Sequence, residues 1–547
     1  MSFTTARQSH GPHQVDDTIP MVGSKRTMFD FQEFDHSSIS LEKEEWPVVI
    51  IGSSMVGMTL GVLLGYHGAA LFLLRSIEIF RQLGLDALMK EESASNFDLD
   101  AGVVIVEQLV GGKVLARMQE SDPEEVAKVS PSQRLWLTQN MFEPLLRKSA
   151  KQFGARQEFG QTVVHYEEVE DGVLVIVQDV GTKQCRKYKT SYLVATDGNR
   201  SATRRKEGIE WRGPGILGNS ISINFKADLT PYLGTRAVHG TTYISNPKIN
   251  AGFRLDSGGK GGFLIVTKAG EKISFAPDSV TEEEAQQYFY DASGLTVDDV
   301  SVKIDSISYW SIAAFNSDSF SNKRNRVFIA GDAAHVMPPT GGMGGNTGVQ
   351  DVHNLARKLA YVLDGRASHS LLASYSTERQ PAAGFTVQQA FSRLQKRVFH
   401  KEPDVPELTD IVCEIGYRYP KGAIVPSEVG GSTELWEDPY APLVMPGSRL
   451  PHTWIVDKSS PDKQTSTLDL VKTNFVLIAT DDRSPWIQAA NDVSLKIDTL
   501  VLSAESSPFA DPLEKVKNLF KLREDEALLV TVEVGVLIKE EGDSAKI

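Results

Sequence analysis

Residues 326–346 read RVFIAGDAAHVMPPTGGMGGN. Residues 327–330 are a short apolar run of the kind that forms a buried parallel strand, and the run ends in Gly331-Asp332. An acid there lies at the carboxyl end of a strand, where open α/β sheets bind ligands, and can accept hydrogen bonds from sugar-like hydroxyls. Pro338-Pro339 stiffens the next turn, and Gly341, Gly342, Gly344 and Gly345 leave the main-chain amides bare, so that a planar ligand can lie on the backbone. Beyond Thr347 the apolar residues Val349, Val352, Leu355, Ala356, Leu359 and Val362 fall at helical spacing, with Gln350, Asp351, Asn354 and Lys358 on the other face. A glycine loop therefore feeds a helix N-terminus, whose free amides and positive dipole end suit a phosphate or a delocalised anionic ring.

The 547 residues leave room for about three or four domains. Hydrophobic residues at 41% and charged residues at 23% are ordinary for a globular chain, and a net charge of −14 disfavours nucleic acid and anionic membrane surfaces as partners. Cys185 and Cys413 stand far apart with no CxxC, which excludes a disulfide scaffold, a cysteine zinc site and dithiol redox chemistry. No metal is expected, and a reducing cytoplasm is the default setting. Residues 46–74 contain no Asp, Glu, Lys or Arg, yet five glycines and two serines interrupt them, so they read as core, not as a membrane span. Residues 1–45 are polar and lack the apolar centre of a signal peptide, so a flexible extension is expected.

A second glycine motif opens the chain proper. The β-branched run of residues 48–51 enters Gly52-Ser53-Ser54-Met55-Val56-Gly57, and a helix pattern follows towards Gly68. This is the strand-turn-helix setting of a dinucleotide fingerprint, with Ser54 in place of the middle glycine. An acid about 20 residues further on should meet the adenosine ribose. Glu78 falls near that distance, but Ile77, Phe80 and Leu83 put it on a helix, so it receives no such role.

Residues 331–360, GDAAHVMPPTGGMGGNTGVQDVHNLARKLA, resemble the second flavin motif of the FAD-dependent aromatic hydroxylases, the group A flavoprotein monooxygenases that include phenol and polyketide hydroxylases. The resemblance implies that Asp332, after Gly331, binds the ribityl chain of FAD. It implies that the proline pair, Pro339 included, lines the flavin ring and that the backbone of Gly344, Gly345 and Asn346 holds its pyrimidine edge. Gly52 and Gly57 then belong to the first FAD motif. Gln139, at a helix start, matches a glutamine that contacts the cofactor, and Arg134 is a candidate for the pyrophosphate beside the alternative of a solvated surface arginine. Residues 197–204, DGNRSATR, are close to the DGxxSxxR pattern near the nicotinamide route, where Asp197 and Arg204 hold the loop together in preference to touching NADPH. One departure stands out: Gly68 runs almost directly into Ala69-Ala70-Leu71, as if a strand and its loop were missing. Either the second strand is absent and the adenosine site weakened, or the chain as written carries a gene-model error.

The implied fold is α/β plus α+β: a Rossmann-like FAD-binding domain, an inserted antiparallel-sheet substrate domain and a C-terminal thioredoxin-like domain. The expected boundaries are 46–213 for the first FAD-binding part with a hairpin near 100–131, and 214–321 for the substrate sheet. Residues 322–400 are the second FAD-binding part, 401–449 a proline- and glycine-rich linker, and 450–547 the thioredoxin-like part. That last part has no CxxC, lacks the family's Arg-Pro-Asp-Gly hairpin before its final strand, and serves as a structural module or a homodimer contact. Tyr243, Arg254, Tyr309 and Trp310 are candidate pocket residues, with core packing the better reading for most of them. No catalytic acid or base stands out. The function implied is hydroxylation of a phenolic or polyketide-derived aromatic substrate with FAD, NADPH or NADH, and O2. Two alternatives stay open: Baeyer-Villiger-like ring opening by the same flavin, and a non-catalytic relic with an impaired adenosine site.

Overall fold

The first strand, Leu41–Ile51, runs parallel to Cys185–Ala195, with Val48 opposite Tyr192 and Ile51 opposite Ala195. On the other side of Ala195 lies Ile329, the last residue of the parallel strand Val327–Ile329. Three strands thus end at one level, and their carboxyl ends release Gly52, Thr196-Asp197 and Ala330-Gly331-Asp332 side by side. The hairpin of Gln161–Val169 and Gly172–Asp179 completes this five-stranded sheet. The computed structural model describes residues 30–541, leaving out 32, 53–55, 57–58, 60–69, 98, 100–101, 119–121, 235–239, 257, 273, 400, 426–432, 461, 463, 494, 504–506, 511–512, 525 and 532–534. The first strand starts at Leu41, inside the stretch expected as an extension, because its backbone pairs with the neighbouring strand there, Leu41 opposite Lys187 and Glu45 opposite Lys189. Residues 1–29 and most of the glycine-rich stretch 53–69 lie outside the described residues. Among those described, no helix is long and apolar enough to cross a membrane.

The helix after the glycine loop, Met343–Leu363, lays Val352, Leu355 and Leu359 on Val194, Phe328 and Ile329 of the sheet. The contact is close: a Cβ at Gly348 would lie 2.3 Å, and one at Gly331 2.5 Å, from Cγ2 of Val56. The polar side of this helix is not a solvated face. Gln350, Asp351, Asn354 and Lys358 are all buried, because the long helix Ala373–Arg397 brings Glu378 and Arg379 against them. Asn354 Nδ2 donates to Glu378 Oε2 at 2.6 Å, and Lys358 pairs with the same carboxylate.

An eight-stranded sheet forms the second layer, in the order 335–336, 303–317, 211–226, 261–269, 249–255, 241–245, 103–106, 114–118. All its pairings are antiparallel except that of Thr241–Ser245 with Val103–Val106. The hairpin expected inside the first FAD-binding part is therefore one edge of this sheet, and His335–Val336, just past Asp332, is the other. Ile221, Ile223, Phe225, Phe253, Leu264 and Val266 point to one side, where they pack on Phe289 of helix Glu282–Ser293. Strand alternation turns Ser222, Tyr243, Gly252 and Arg254 to the opposite face.

Towards the C-terminus, Phe475–Ala479 pairs parallel with Ile497–Val501 and antiparallel with Glu526–Thr531, which in turn pairs with Gly535–Glu541. That final hairpin forms without an Arg-Pro-Asp-Gly turn. Glu78 sits on helix Leu74–Gln82, as its spacing requires, and anchors this region to the rest. It is buried and accepts from Arg449 Nε at 3.0 Å and Ser130 Oγ at 2.7 Å, with Arg75 at 3.2 Å. Burial alone would raise its carboxyl, but Arg449 and Arg75 outweigh burial and hold it below the usual range.

Candidate flavin site at three strand ends

Gly52 takes φ +97°, and a Cβ there would lie 2.5 Å from Thr196 O, so the turn after the first strand admits only glycine. Thr196 seals the same junction by donating from N to Ile51 O at 2.8 Å. Asp197 accepts from Thr203 N and Thr203 Oγ1, both at 3.1 Å. Arg204 donates to Ile209 O at 2.9 Å and stacks on Trp211 at 4.3 Å. Each of the two residues thus ties the 197–209 loop through its own partner.

At the third strand end Gly331 takes φ +60° and a single 3-10 turn, Gly331–Ala333, presents Asp332. Gly331 and Ala333 are buried while Asp332 is exposed. Its carboxyl is nonetheless raised by desolvation, with His335 acting in the opposite direction. Beneath it is a fully buried cluster that sequence reading missed. Asp351 Oδ2 bonds His335 Nε2 at 2.7 Å and accepts from Gly331 N at 3.1 Å; Asp351 Oδ1 accepts from Arg379 Nε at 2.9 Å. Arg379 also donates to Thr347 O at 3.2 Å and Tyr419 Oη at 3.0 Å. The cluster fixes the backbone that aims Asp332. Its only sequence signal is the opposite charge of Asp351 and of Arg379 on two neighbouring helices.

No side chain caps the N-terminus of Met343–Leu363, where Gly342 takes φ +66°. The first-turn amides, including those of Gly344 and Gly345, are donors that an ordinary helix would cap. Asn346 keeps its side chain for the protein: its Oδ1 accepts from Leu73 N at 2.9 Å and its Nδ2 donates to Gly342 O at 2.8 Å. Pro338 is buried and Pro339 exposed. Arg134 is not solvated. Its Nε bonds Glu414 Oε1 at 2.8 Å in a buried pair, so the charge expected to meet a pyrophosphate is already neutralised within the protein. Gln139 opens helix Gln139–Gln152, but its side chain, like Gly57, lies outside the described residues.

The open face of the eight-stranded sheet lies against this site. Val103 and Trp136 pack in one cluster with Met343, the first residue of the glycine-loop helix, and with Met337. The sequence candidates divide by face. Tyr309 packs on the core side and accepts from Val280 N at 3.0 Å, whereas Tyr243, Arg254 and Trp310 are on the open side, Trp310 donating to Ser222 Oγ at 3.0 Å.

These parts fit the isoalloxazine and ribityl end of FAD: a desolvated acid at a strand end, uncapped helix amides and a glycine-lined approach. The adenosine end has less. Among the described residues the first strand is paired on one side only, and its outer residues 48–51 are half-buried. Ala70–Phe72, the next strand, pairs with Leu135–Leu137 in a separate two-stranded sheet.

The FAD binding domain family matches residues 69–390. A 4-methyl-5-nitrocatechol 5-monooxygenase of Burkholderia sp is 36% identical over 499 residues, covering 85% of this chain and 89% of the relative. A tetracenomycin B2 monooxygenase-dioxygenase of Streptomyces olivaceus is 30% identical over 82% of this chain and 86% of its own length. Among solved structures, a ternary complex of aklavinone-11 hydroxylase with FAD and aklavinone superposes with a TM-score of 0.83 at 24% identity, over 92% of this chain and 98% of that one. The strand-end acid and glycine-loop helix both fall within the matched span, and the chain belongs to the family of FAD-dependent aromatic monooxygenases.

Proposed function

We propose that this enzyme hydroxylates a phenolic or polyketide-derived aromatic compound with NADPH or NADH and O2, and that FAD is held by Gly52, Asp197, Gly331, Asp332, Pro339, Gly344, Gly345 and Asn346. The observation that carries this reading is the juxtaposition of Asp332 and the uncapped helix Met343–Leu363 with the open face of the eight-stranded sheet. FAD, when bound, supplies the redox chemistry between the nicotinamide and oxygen. The protein supplies the rest. Asp332 accepts hydrogen bonds from ribityl hydroxyls, and the helix amides donate to the anionic edge of the ring. Trp136 and the sheet face orient the substrate and keep water out. The relatives named for a nitrocatechol, a tetracenomycin and aklavinone point to substituted or fused phenols as the substrate class.

Residues 46–213 and 322–400 are assigned to the FAD-binding part, 214–321 with the 103–118 hairpin to the substrate sheet, and 401–449 to the linker. Residues 450–547 are assigned a thioredoxin-like fold. Supporting this, a parallel pair joined through helix Pro485–Asp492 is followed by an antiparallel hairpin on the same sheet. Without CxxC this part is assigned a structural role or a homodimer contact.

The test is the visible spectrum of the protein after incubation with excess FAD and removal of the unbound fraction. A retained flavin band that NADPH bleaches without oxygen, faster with a phenolic substrate, is the expected result. A colourless protein would overturn the reading and make the half-built adenosine end the cause.

A further inference from the structure

Four of the buried arginines among the described residues are each matched by a carboxylate. Arg75 meets Glu78, Arg134 meets Glu414, Arg379 meets Asp351 and Arg393 meets Asp410, at 3.2, 2.8, 2.9 and 2.9 Å. Arg254, half-buried as a whole, stands apart from them. Its Nε and one terminal nitrogen, Nη2, are shut off from solvent and have no hydrogen-bond partner among the described residues, and no carboxylate there pairs with it. Its guanidinium lies over the Trp136 ring at 5.5 Å. A cation–π contact of that kind offsets only part of the cost of desolvating an ion.

The position of Arg254 says what could complete it. Tyr243 pairs with Gly252 across neighbouring strands, which puts Arg254 diagonal to Tyr243 on the same, open face. Gly252 has no side chain, and the Tyr243 ring lies over it: a Cβ there would be 3.2 Å from Cδ1. Trp136, beneath the guanidinium, packs with Met343 at the start of the glycine-loop helix. The unpaired cation therefore stands on the substrate side of the flavin site, beside a phenol and an aromatic wall.

We infer that Arg254, with Tyr243 as neutral donor, is an anchor for an anionic oxygen on the aromatic substrate, so that the enzyme selects ring compounds ionised at a phenol or carboxyl group. This rests on the proposed hydroxylase reading and narrows its substrate class. Desolvation pulls the guanidinium down to about 10, in keeping with a charge that stands unpaired. The surrounding protein also raises the Tyr243 phenol by desolvation although the residue is 38% exposed, with Arg397 and Arg254 opposing, so it remains protonated at neutral pH and can donate. A bound oxyanion would take the two free N–H groups and the phenolic O–H.

The probe is 4-nitrocatechol, whose absorption distinguishes phenol from phenolate. Equilibrium dialysis and difference spectra are run on wild type, Arg254→Met, Arg254→Lys and Tyr243→Phe, with benzoate and phenol as competitors. Wild type is expected to bind the probe with a rise of the phenolate band at a pH where the free probe is largely protonated. Arg254→Met should bind about tenfold more weakly or worse and lose the rise, while Arg254→Lys retains part of both. Displacement by benzoate identifies a carboxylate-type ligand, and displacement by phenol alone a phenolate. Equal affinity and an equal band rise in wild type and Arg254→Met would overturn the inference. Probe binding is read directly and flavin retention separately, so an anchor that fails in a flavin-loaded protein leaves the hydroxylase reading standing.

Discussion

Asp351→Ala is expected to lower folding stability by about 3–5 kcal/mol, the range for removing one partner of a buried ion pair. Asp351 is fully buried and is the acceptor for three groups: Gly331 N, His335 Nε2 and Arg379 Nε. Its carboxyl would be raised by desolvation, yet His335 and Arg379 pull it below the usual range, so the charged form belongs to the folded state. Alanine leaves a guanidinium with no exposed surface facing an uncompensated site and frees the Gly331 amide that sets the pitch of the Asp332 turn. Two readouts should therefore move together: the urea midpoint falls, and the retained flavin band falls with it. Pairing Asp351→Ala with Arg379→Met should restore part of the midpoint, since the orphaned charge goes too. A midpoint for Asp351→Ala within about 0.5 kcal/mol of wild type, the scatter of ordinary surface changes, would refute the account.

The same cluster shows what spacing along the chain can and cannot reveal. Strand, acid, glycine loop and helix lie within residues 326–363, and each step of that chemistry is local, so periodicity and residue type were enough to place it. The period-two pattern beyond residue 213 likewise foretold an antiparallel sheet, because alternation is a property of one strand at a time. Pairing across the fold is not. Gln350, Asp351, Asn354 and Lys358 read as one polar helix face, and nothing in their spacing says that Glu378 and Arg379 cover them. Arg134 looked like a surface or phosphate arginine because its carboxylate, Glu414, is 280 positions away. Arg254 and Tyr309 looked alike as pocket candidates until strand register turned one to the open face and the other to the core. The hairpin near 103–118 could not be assigned to its sheet for the same reason: its partner strand, Thr241–Ser245, is more than a hundred residues on.

Asp332→Asn is expected to move affinity and stability in opposite directions. A carboxylate that accepts from ribityl hydroxyls makes charge-assisted hydrogen bonds worth about 1.5–3 kcal/mol, so the amide should weaken FAD binding about ten- to hundredfold. Without cofactor the sign reverses. The folded-state pKa of Asp332 is raised by desolvation above its unfolded value, so folding favours the protonated acid. Below the unfolded pKa both states carry the proton and Asp332 costs nothing. As pH rises past that point the unfolded chain gains by ionising, and the cost of the desolvated charge is complete once pH exceeds the raised folded value. Near neutral pH the asparagine apoprotein should therefore be the more stable of the two, and the difference should shrink as the pH is lowered towards the ordinary carboxylate range. Unfolding midpoints of the two apoproteins across that range, alongside FAD dissociation constants at neutral pH, measure both halves. Loss of stability with loss of affinity would mark Asp332 as a structural acid; gain of one against loss of the other is the trade between folding and function that a cofactor-binding group imposes.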